Sequence, residues 1–300
     1  MLKSLVQNAY SHEEEQYLTL IKDLLSEKAS FETGRNGNTY CNIGSAMYFS
    51  LENNVIPILT TKKVAIKTCL KELLWFLRGN TDNKLLKEQN VHIWDLNGEK
   101  SFLESRGLNY EEDDLGPVYG HQWRHFNANY KNCHTSYKDK GVDQIQRVID
   151  DLKNPETRYS RRHVISAWNP CQIDKMALPP CHVLFQFHVT RDNKLSCTLY
   201  QRSGDVGLGV PFNILSYAAL TRLIAHHCDL EPYEFIYYLG NTHIYADHLV
   251  PLQSQILRKP HPFPTMNIGV KRQNINDYEL DDFQIEDYVH HEPIKMNMSQ

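Results

Sequence analysis

No apolar run in this chain approaches the roughly 20 residues needed to cross a bilayer. The opening stretch, MLKSLVQNAYSHEEEQYLTLI, lacks the apolar core and small-residue cleavage site of an export signal, so none is expected. An excess of positive charge is missing too. The net charge is −4, so no global field draws the chain to nucleic acid or to a membrane surface. There is no Cys-x-x-Cys pair, which argues against a zinc ribbon or a dithiol redox motif. The seven cysteines, Cys41, Cys69, Cys133, Cys171, Cys181, Cys197 and Cys228, are odd in number and scattered. Free thiols in a reducing compartment are therefore expected, with the cytoplasm as the location. Walker A and GxGxxG loops are absent, as are repeats, low-complexity tracts and Ser/Gly/Pro-rich linkers.

What is present is a globular balance. Hydrophobic residues make up 41% and charged residues 23% of 300 residues, enough for a sizeable core. Residues 13–28 carry Leu18, Ile21, Leu24 and Leu25 at helical spacing. The following FETGRNGNTYCNIGS reads as a Gly- and Asn-rich loop around Arg35, with a strand at 46–52. TTKKVAIKTCLKELLWFLRGN predicts an amphipathic helix with Leu70, Leu73, Leu74 and Leu77 inward and Gly79 as its stop. Residues about 99–142 are polar and insertion-rich, apart from the island DLGPVYGHQWRHF. DQIQRVIDDLK reads as another amphipathic helix. HVISAW, VLFQFHV and KLSCTLYQRS read as strands, with Asp192-Asn193 as a turn between the last two. PFNILSYAALTRLIAHHC is a long, largely apolar helix, and EFIYYLG and MNIGVKR suit further strands. One α+β domain over residues 1–300, a mixed sheet flanked by helices, fits better than two domains.

Chemistry concentrates in a few segments. ALPPCHVLFQFH places Cys181 and His182 behind Pro179 and Pro180, with Val183, Phe185 and Phe187 alternating as in a core strand. The prolines disfavour a helix start or a strand interior at the thiol. Cys181 is either a buried structural thiol, a common fate of free cysteine, or a nucleophile at the mouth of a strand. YQRSGDVGLGVPFN joins a strand to a helix, and Arg202 and Ser203 offer donors suited to a phosphate. The alternative is a glycine-rich turn with a surface arginine. Asn213, between Phe212 and Ile214, either caps the helix or pairs with a planar amide such as a pyrimidine edge. His243 and Tyr245, two apart in GNTHIYADH, suit a sugar hydroxyl or the core. Arg158, Arg161 and Arg162 precede a strand as phosphate-binding forks or as a solvated cluster.

Taken together, ELLWFLRG, VHIWD, DLGPVYGHQWRHF, SRRHVISAWNP, ALPPCHVLFQF, YQRSGDVGLGVPFN and THIY resemble the thymidylate synthase family in order and spacing. The likeness runs from about Arg35 to IKMNM and is nearest the animal and DNA-virus type. It implies the family's fold, a single domain dimerising through its sheet. It also implies reductive methylation of dUMP by 5,10-methylenetetrahydrofolate to give dTMP and dihydrofolate, with no metal and no nicotinamide. Cys181 then matches the nucleophile that adds to C6 of the base, a form of covalent catalysis. Nearby cations, Arg202 foremost, are expected to favour its thiolate. Asn213 matches the reader of O4 and N3. Arg35, Arg202 and Ser203 match phosphate ligands, and Arg161 and Arg162 match the pair reaching the phosphate from a second subunit. His243 and Tyr245 match the 3′-hydroxyl contacts. Tyr119 matches the group near C5 in proton removal, and Glu72 the carboxylate organising water. Asp205 matches a residue of the nucleotide site and the pterin ligand, with Trp94, Leu208 and Phe212 as the folate wall.

Departures accompany the likeness. RNGNTY stands where the family commonly has RTGTGT, Asn241 where Asp is usual and Asp247 where Asn is usual; the chain ends in MSQ, and the segment around Arg158 looks longer. A dCMP hydroxymethylase of the same fold would suit an Asp at position 213. A silent nucleotide sensor or RNA-binding regulator fits poorly with Cys181, Arg202, Asn213 and Glu72 together, and RNA contact is not expected to be primary. A cysteine hydrolase lacks a separate His–Asn or His–Asp signature.

Overall fold

The period-two runs fold as strands in the computed structural model, which describes residues 2–34 and 37–298. Six build one sheet: β1 Ser30–Gly34, β2 Gly37–Ser50, β3 Val164–Ser166, β4 His182–Val189, β5 Lys194–Asp205 and β6 Glu231–Tyr245. Their order is β1-β2-β6-β5-β4-β3, and only β5 and β6 run parallel. A small antiparallel pair, β7 Thr265–Ile268 with β8 Phe283–Glu286, stands apart. The helices are α1 Leu2–Ala9, α2 Glu15–Leu24, α3 Ile66–Leu77, α4 Lys84–Lys87, α5 Asp95–Gly98, α6 Lys100–Ser105, α7 Tyr119–His125, α8 Gln144–Lys153, α9 Gly209–His227 and α10 Leu249–Gln255. This is the α+β architecture expected, a mixed sheet flanked by helices. No helix among the described residues is long and apolar enough to cross a membrane.

A parallel pair needs a crossover, and α9 supplies it between β5 and β6. Buried side chains surround this helix nearly all the way round, as its sequence predicts for a central helix. It packs on β5 and β6, and α3 packs on α9 and α7. The sheet face beneath α9 is apolar: Phe185, Phe187, Leu199, Phe235 and Tyr237 are buried there. The opposite face carries a cross-strand rung, Ala46–Tyr238–Tyr200–Leu184. Tyr200 and Tyr238 on it are each 42% exposed.

Two expectations need correction. The stretch around Arg35 is a β-hairpin, with Gly34 opposite Gly37, where a loop was expected. Its Gly and Asn content argues for a break. However, β6 pairs with β2 from Thr39 to Ser50, and that tertiary pairing overrides local propensity. Arg35 itself lies outside the described residues. The 99–142 segment is also more ordered than its polarity suggests. Besides α7, which lies in the island DLGPVYGHQWRHF, it contains α6 and a small cluster of buried Ala128, Tyr130 and Tyr137.

Candidate active site

Cys181 stands one residue ahead of β4, and its surroundings are built from chain segments far apart in sequence. Its backbone N–H donates to Tyr119 Oη on α7 at 2.8 Å. Its carbonyl accepts from the Arg202 N–H on β5 at 2.9 Å. The Arg202 side chain reaches back to the same turn, with Nε donating to Pro180 O and Nη2 to Pro179 O, each at 2.9 Å. The two prolines therefore stiffen the approach and also offer the carbonyls that anchor Arg202. Its guanidinium lies 5.6 Å from the centre of the Trp168 ring, a contact the sequence did not flag.

Burial raises the Cys181 thiol above its ordinary value, and Arg202 acts in the opposite direction. Arg202 favours the thiolate, as expected, and desolvation outweighs it in the free chain. His182 is no rival base. The β4–β5 register slips between His182 and Leu184, and His182 is buried between the Tyr119 and Tyr217 rings at 5.1 and 5.2 Å. Burial holds it down at about 4, opposed by a hydrogen bond with Asn213.

A cavity of about 560 Å³ opens at this point. Cys181, Arg202, Ser203, Asp205, His243 and Tyr245 line it, together with Gly34 and Gly37. Ile93, Phe102, Leu178 and Met298 give it an apolar wall, and none of them was expected from sequence. His243 Nδ1 lies 2.9 Å from Asn241 Oδ1, so the residue standing where Asp is usual pairs with the imidazole. Asp247 is exposed and its carboxylate lies 3.9 Å from His248 Nε2.

Glu72, Trp94 and Tyr119 adjoin one another behind the cavity. The Trp94 indole N–H donates to Glu72 Oε1 at 2.7 Å. Burial pushes the Glu72 carboxyl up to about 7. The Tyr119 ring lies 4.8 Å from Phe76 and 6.1 Å from Trp94, and burial raises its phenol well above the ordinary value. Asn213 is not the helix cap. Leu208 holds the N-terminal flanking position of α9, and Asn213 lies in its second turn, with Oδ1 3.4 Å from the Tyr237 hydroxyl. Phe212 O accepts from Cys69 Sγ at 3.4 Å, tying α9 to α3. Arg161 and Arg162 lie elsewhere. Both are exposed just before edge strand β3, and neither lines the cavity of its own chain.

Two buried groups near Asp205 escaped the sequence reading. Lys62 Nζ donates to Gly207 O, and burial draws its ammonium down to about 8 against the pull of Asp205 and Glu14. His248 is fully buried, with Nε2 2.7 Å from Asn297 O and Nδ1 3.9 Å from Asp205 Oδ1. Asp205 Oδ1 also accepts the Gly207 N–H at 2.8 Å. No local pattern marks a lysine in TTKKV or a histidine in ADHLV for such positions, because the partners come from the β5–α9 turn and the C-terminal segment.

Known proteins share this chain nearly end to end. Residues 15–300 match the thymidylate synthase family. A protein of Encephalitozoon cuniculi named thymidylate synthase 1/2 is 50% identical over 291 residues, covering 96% of this chain and 98% of its own length. The thymidylate synthase of Saccharomyces cerevisiae is 50% identical over 299 residues, covering 96% and 97%. The bifunctional dihydrofolate reductase-thymidylate synthase of Leishmania major is 50% identical over 292 residues, and there the chain spans 56% of the longer protein. A cavity walled by a cysteine and an arginine that brace one another is thus found in a chain whose likeness extends over its whole length, and that chain belongs to the thymidylate synthase family.

Proposed function

We propose that this protein is a thymidylate synthase, a methyltransferase that turns dUMP into dTMP, and that Cys181 is its nucleophile. The observation that carries the reading is the coupling of thiol and anion donor. Cys181 and Arg202 share a backbone hydrogen bond and line one cavity, with Ser203 beside them. A phosphate held by Arg202 and Ser203, with Arg35 as a further ligand, would fix the base against the sulfur. The thiol proton leaves as sulfur bonds to C6, and the electron pair of the C5–C6 bond makes C5 nucleophilic. Asn213 holds the charge that builds on O4. Tyr119 serves proton removal at C5 through water. Glu72, poised near neutrality, organises water and protons around O4. His243 and Tyr245 take the sugar 3′-hydroxyl. The co-substrate 5,10-methylenetetrahydrofolate supplies the one-carbon unit and the hydride. Asp205 binds its pterin, with Trp94, Leu208 and Phe212 as the apolar wall.

The active protein is a homodimer joined through the open sheet face. Two features support this: the exposed Tyr200–Tyr238 rung and the position of Arg161 and Arg162, outside the cavity of their own chain and available to a partner's phosphate. Free thiols at all seven cysteines support a cytoplasmic location.

Incubation with 5-fluoro-dUMP and methylenetetrahydrofolate, followed by intact mass, tests the chemistry. A stable adduct mapped to Cys181 is expected, with none on Cys181→Ser, which keeps dUMP binding but loses turnover. An adduct on another residue, or full synthesis by Cys181→Ser, would sink the assignment. Tritium release from C5-labelled dUMP but not from C5-labelled dCMP fixes the base.

A further inference from the structure

We propose that Asp82, Cys133 and His134 form a binding site for a divalent cation of the zinc class, outside the reaction cavity. One ligand atom from each residue lies within 4.8 Å of the others. Cys133 Sγ is 3.8 Å from His134 Nδ1 and 3.6 Å from its Nε2, and His134 Nδ1 is 4.0 Å from Asp82 Oδ2. Zinc bonds of about 2.0–2.3 Å in tetrahedral array require ligand–ligand separations of roughly 3.3–3.8 Å, so binding must turn the imidazole to aim Nδ1 at the ion and draw the three donors together. The other ring nitrogen, Nε2, faces Glu111 Oε2 at 3.7 Å. A carboxylate behind the distal nitrogen is the usual orienting partner of a metal-bound histidine. Three protein ligands leave a fourth position for water. One carboxylate, one thiolate and one neutral imidazole balance a doubly charged ion.

The scaffold around these donors is fixed independently of any ion. Asp82 Oδ1 already accepts the Lys84 N–H at 2.9 Å, which leaves Oδ2 facing the imidazole. Asn132 Oδ1 accepts from the His134 N–H at 3.1 Å and from Thr135 Oγ1 at 2.8 Å. Tyr137 Oη accepts the Lys131 and Asn132 N–H groups at 2.8 and 3.1 Å. The Cys133 N–H donates to Asp114 Oδ2 at 3.1 Å, placing a second carboxylate beside the thiol. A β-bridge pairs Asp82 with Asp114, and Asp114 in turn holds the Cys133 N–H, so it links the two donor-bearing segments. On binding, the Cys133 S–H bond breaks, sulfur bonds to the metal and one proton is released per ion. The ion would staple the segment after α3 to the polar 126–142 region, and the methylation itself still needs no metal.

The test uses the untagged full-length chain, stripped of metal and titrated with Co²⁺. One ion per chain and a near-ultraviolet sulfur-to-cobalt charge-transfer band are expected, with Zn²⁺ displacing Co²⁺. Cys133→Ser should abolish the band, while Cys171→Ser, which removes an exposed cysteine absent from this cluster, should leave it intact. Glu111→Gln should weaken binding by about 10-fold and His134→Ala by about 100-fold or more. Unchanged circular dichroism and dUMP binding in each variant show that the fold survives. No band in the unaltered chain, a band that persists in Cys133→Ser, or one lost in Cys171→Ser overturns the site.

Discussion

Glu72 shows how one side chain links packing to proton chemistry. Its ordinary value is 4.5, and burial pushes it to about 7. The stability this group contributes is therefore full below about pH 4.5 and is lost as pH rises through 7. Glu72→Gln cannot ionise and keeps an acceptor for the Trp94 indole. Its stability relative to the unaltered protein should rise between pH 4.5 and 8 by roughly 2–4 kcal/mol, read by urea denaturation at both ends of the window. A constant difference would place the carboxyl at its ordinary value. At this scale, much of the cavity was legible. Cys181, Arg202, Ser203, His243 and Tyr245 stood out by residue type and position, Asp205 came with the family likeness, and one cavity gathers all six. Asn213 was legible as an amide in apolar company, and only the helix start at Leu208–Gly209 shows that it is no cap. Lys62 and His248 were illegible because burial, not local pattern, gives them their roles.

At the scale of elements, the β5–α9 turn is the most constrained piece of the site. A methyl group on Gly207 would lie 2.6 Å from His248 Nδ1, in a fully buried ring, and 3.2 Å from Asp205 Oδ1. The turn must shift to admit it, and Asp205 and the acceptor of Lys62 must move together. Gly207→Ala should cost roughly 1–3 kcal/mol of stability in denaturant melts. It should also raise the folate KM several times more than the dUMP KM. Equal increases in both would detach Asp205 from folate binding. Helices α3 and α9 and strands β4 and β5 were readable because their periodicity is strong and their burial one-sided or complete. The β1–β2 hairpin was not, since its Gly- and Asn-rich sequence becomes strand only where β6 supplies the ladder.

Across the whole molecule, the exposed Tyr200–Tyr238 rung is where the proposed assembly is tested. Replacing both Tyr200 and Tyr238 with Glu places like charges side by side in the proposed interface, as the two are register partners. Sedimentation should show the mass halved, and turnover should fall at least about 10-fold as Arg161 and Arg162 of the partner are withdrawn. Unchanged mass and rate would remove the sheet face from the interface. A second measurement separates assembly from chemistry. Mixed Arg162→Ala and Cys181→Ser chains, once exchanged, should regain up to about a quarter of full activity, because half the dimers carry one intact site. No recovery in exchanging dimers speaks against a shared site. Strand order at this scale was not legible from periodicity. Pairings between distant segments leave no local trace, so the order is read only from the structure.

The pairing of β2 with β6 also fixes when this protein can finish forming. Thr39 meets Tyr245 and Ser50 meets Glu234. On a ribosome, the early hairpin must wait for the chain through Tyr245, roughly 10–40 s at ordinary elongation rates. During that interval Met47 and Phe49, buried in the finished protein, have no strand to lean on. The cavity that His243 and Tyr245 help to line cannot close until those residues have been made.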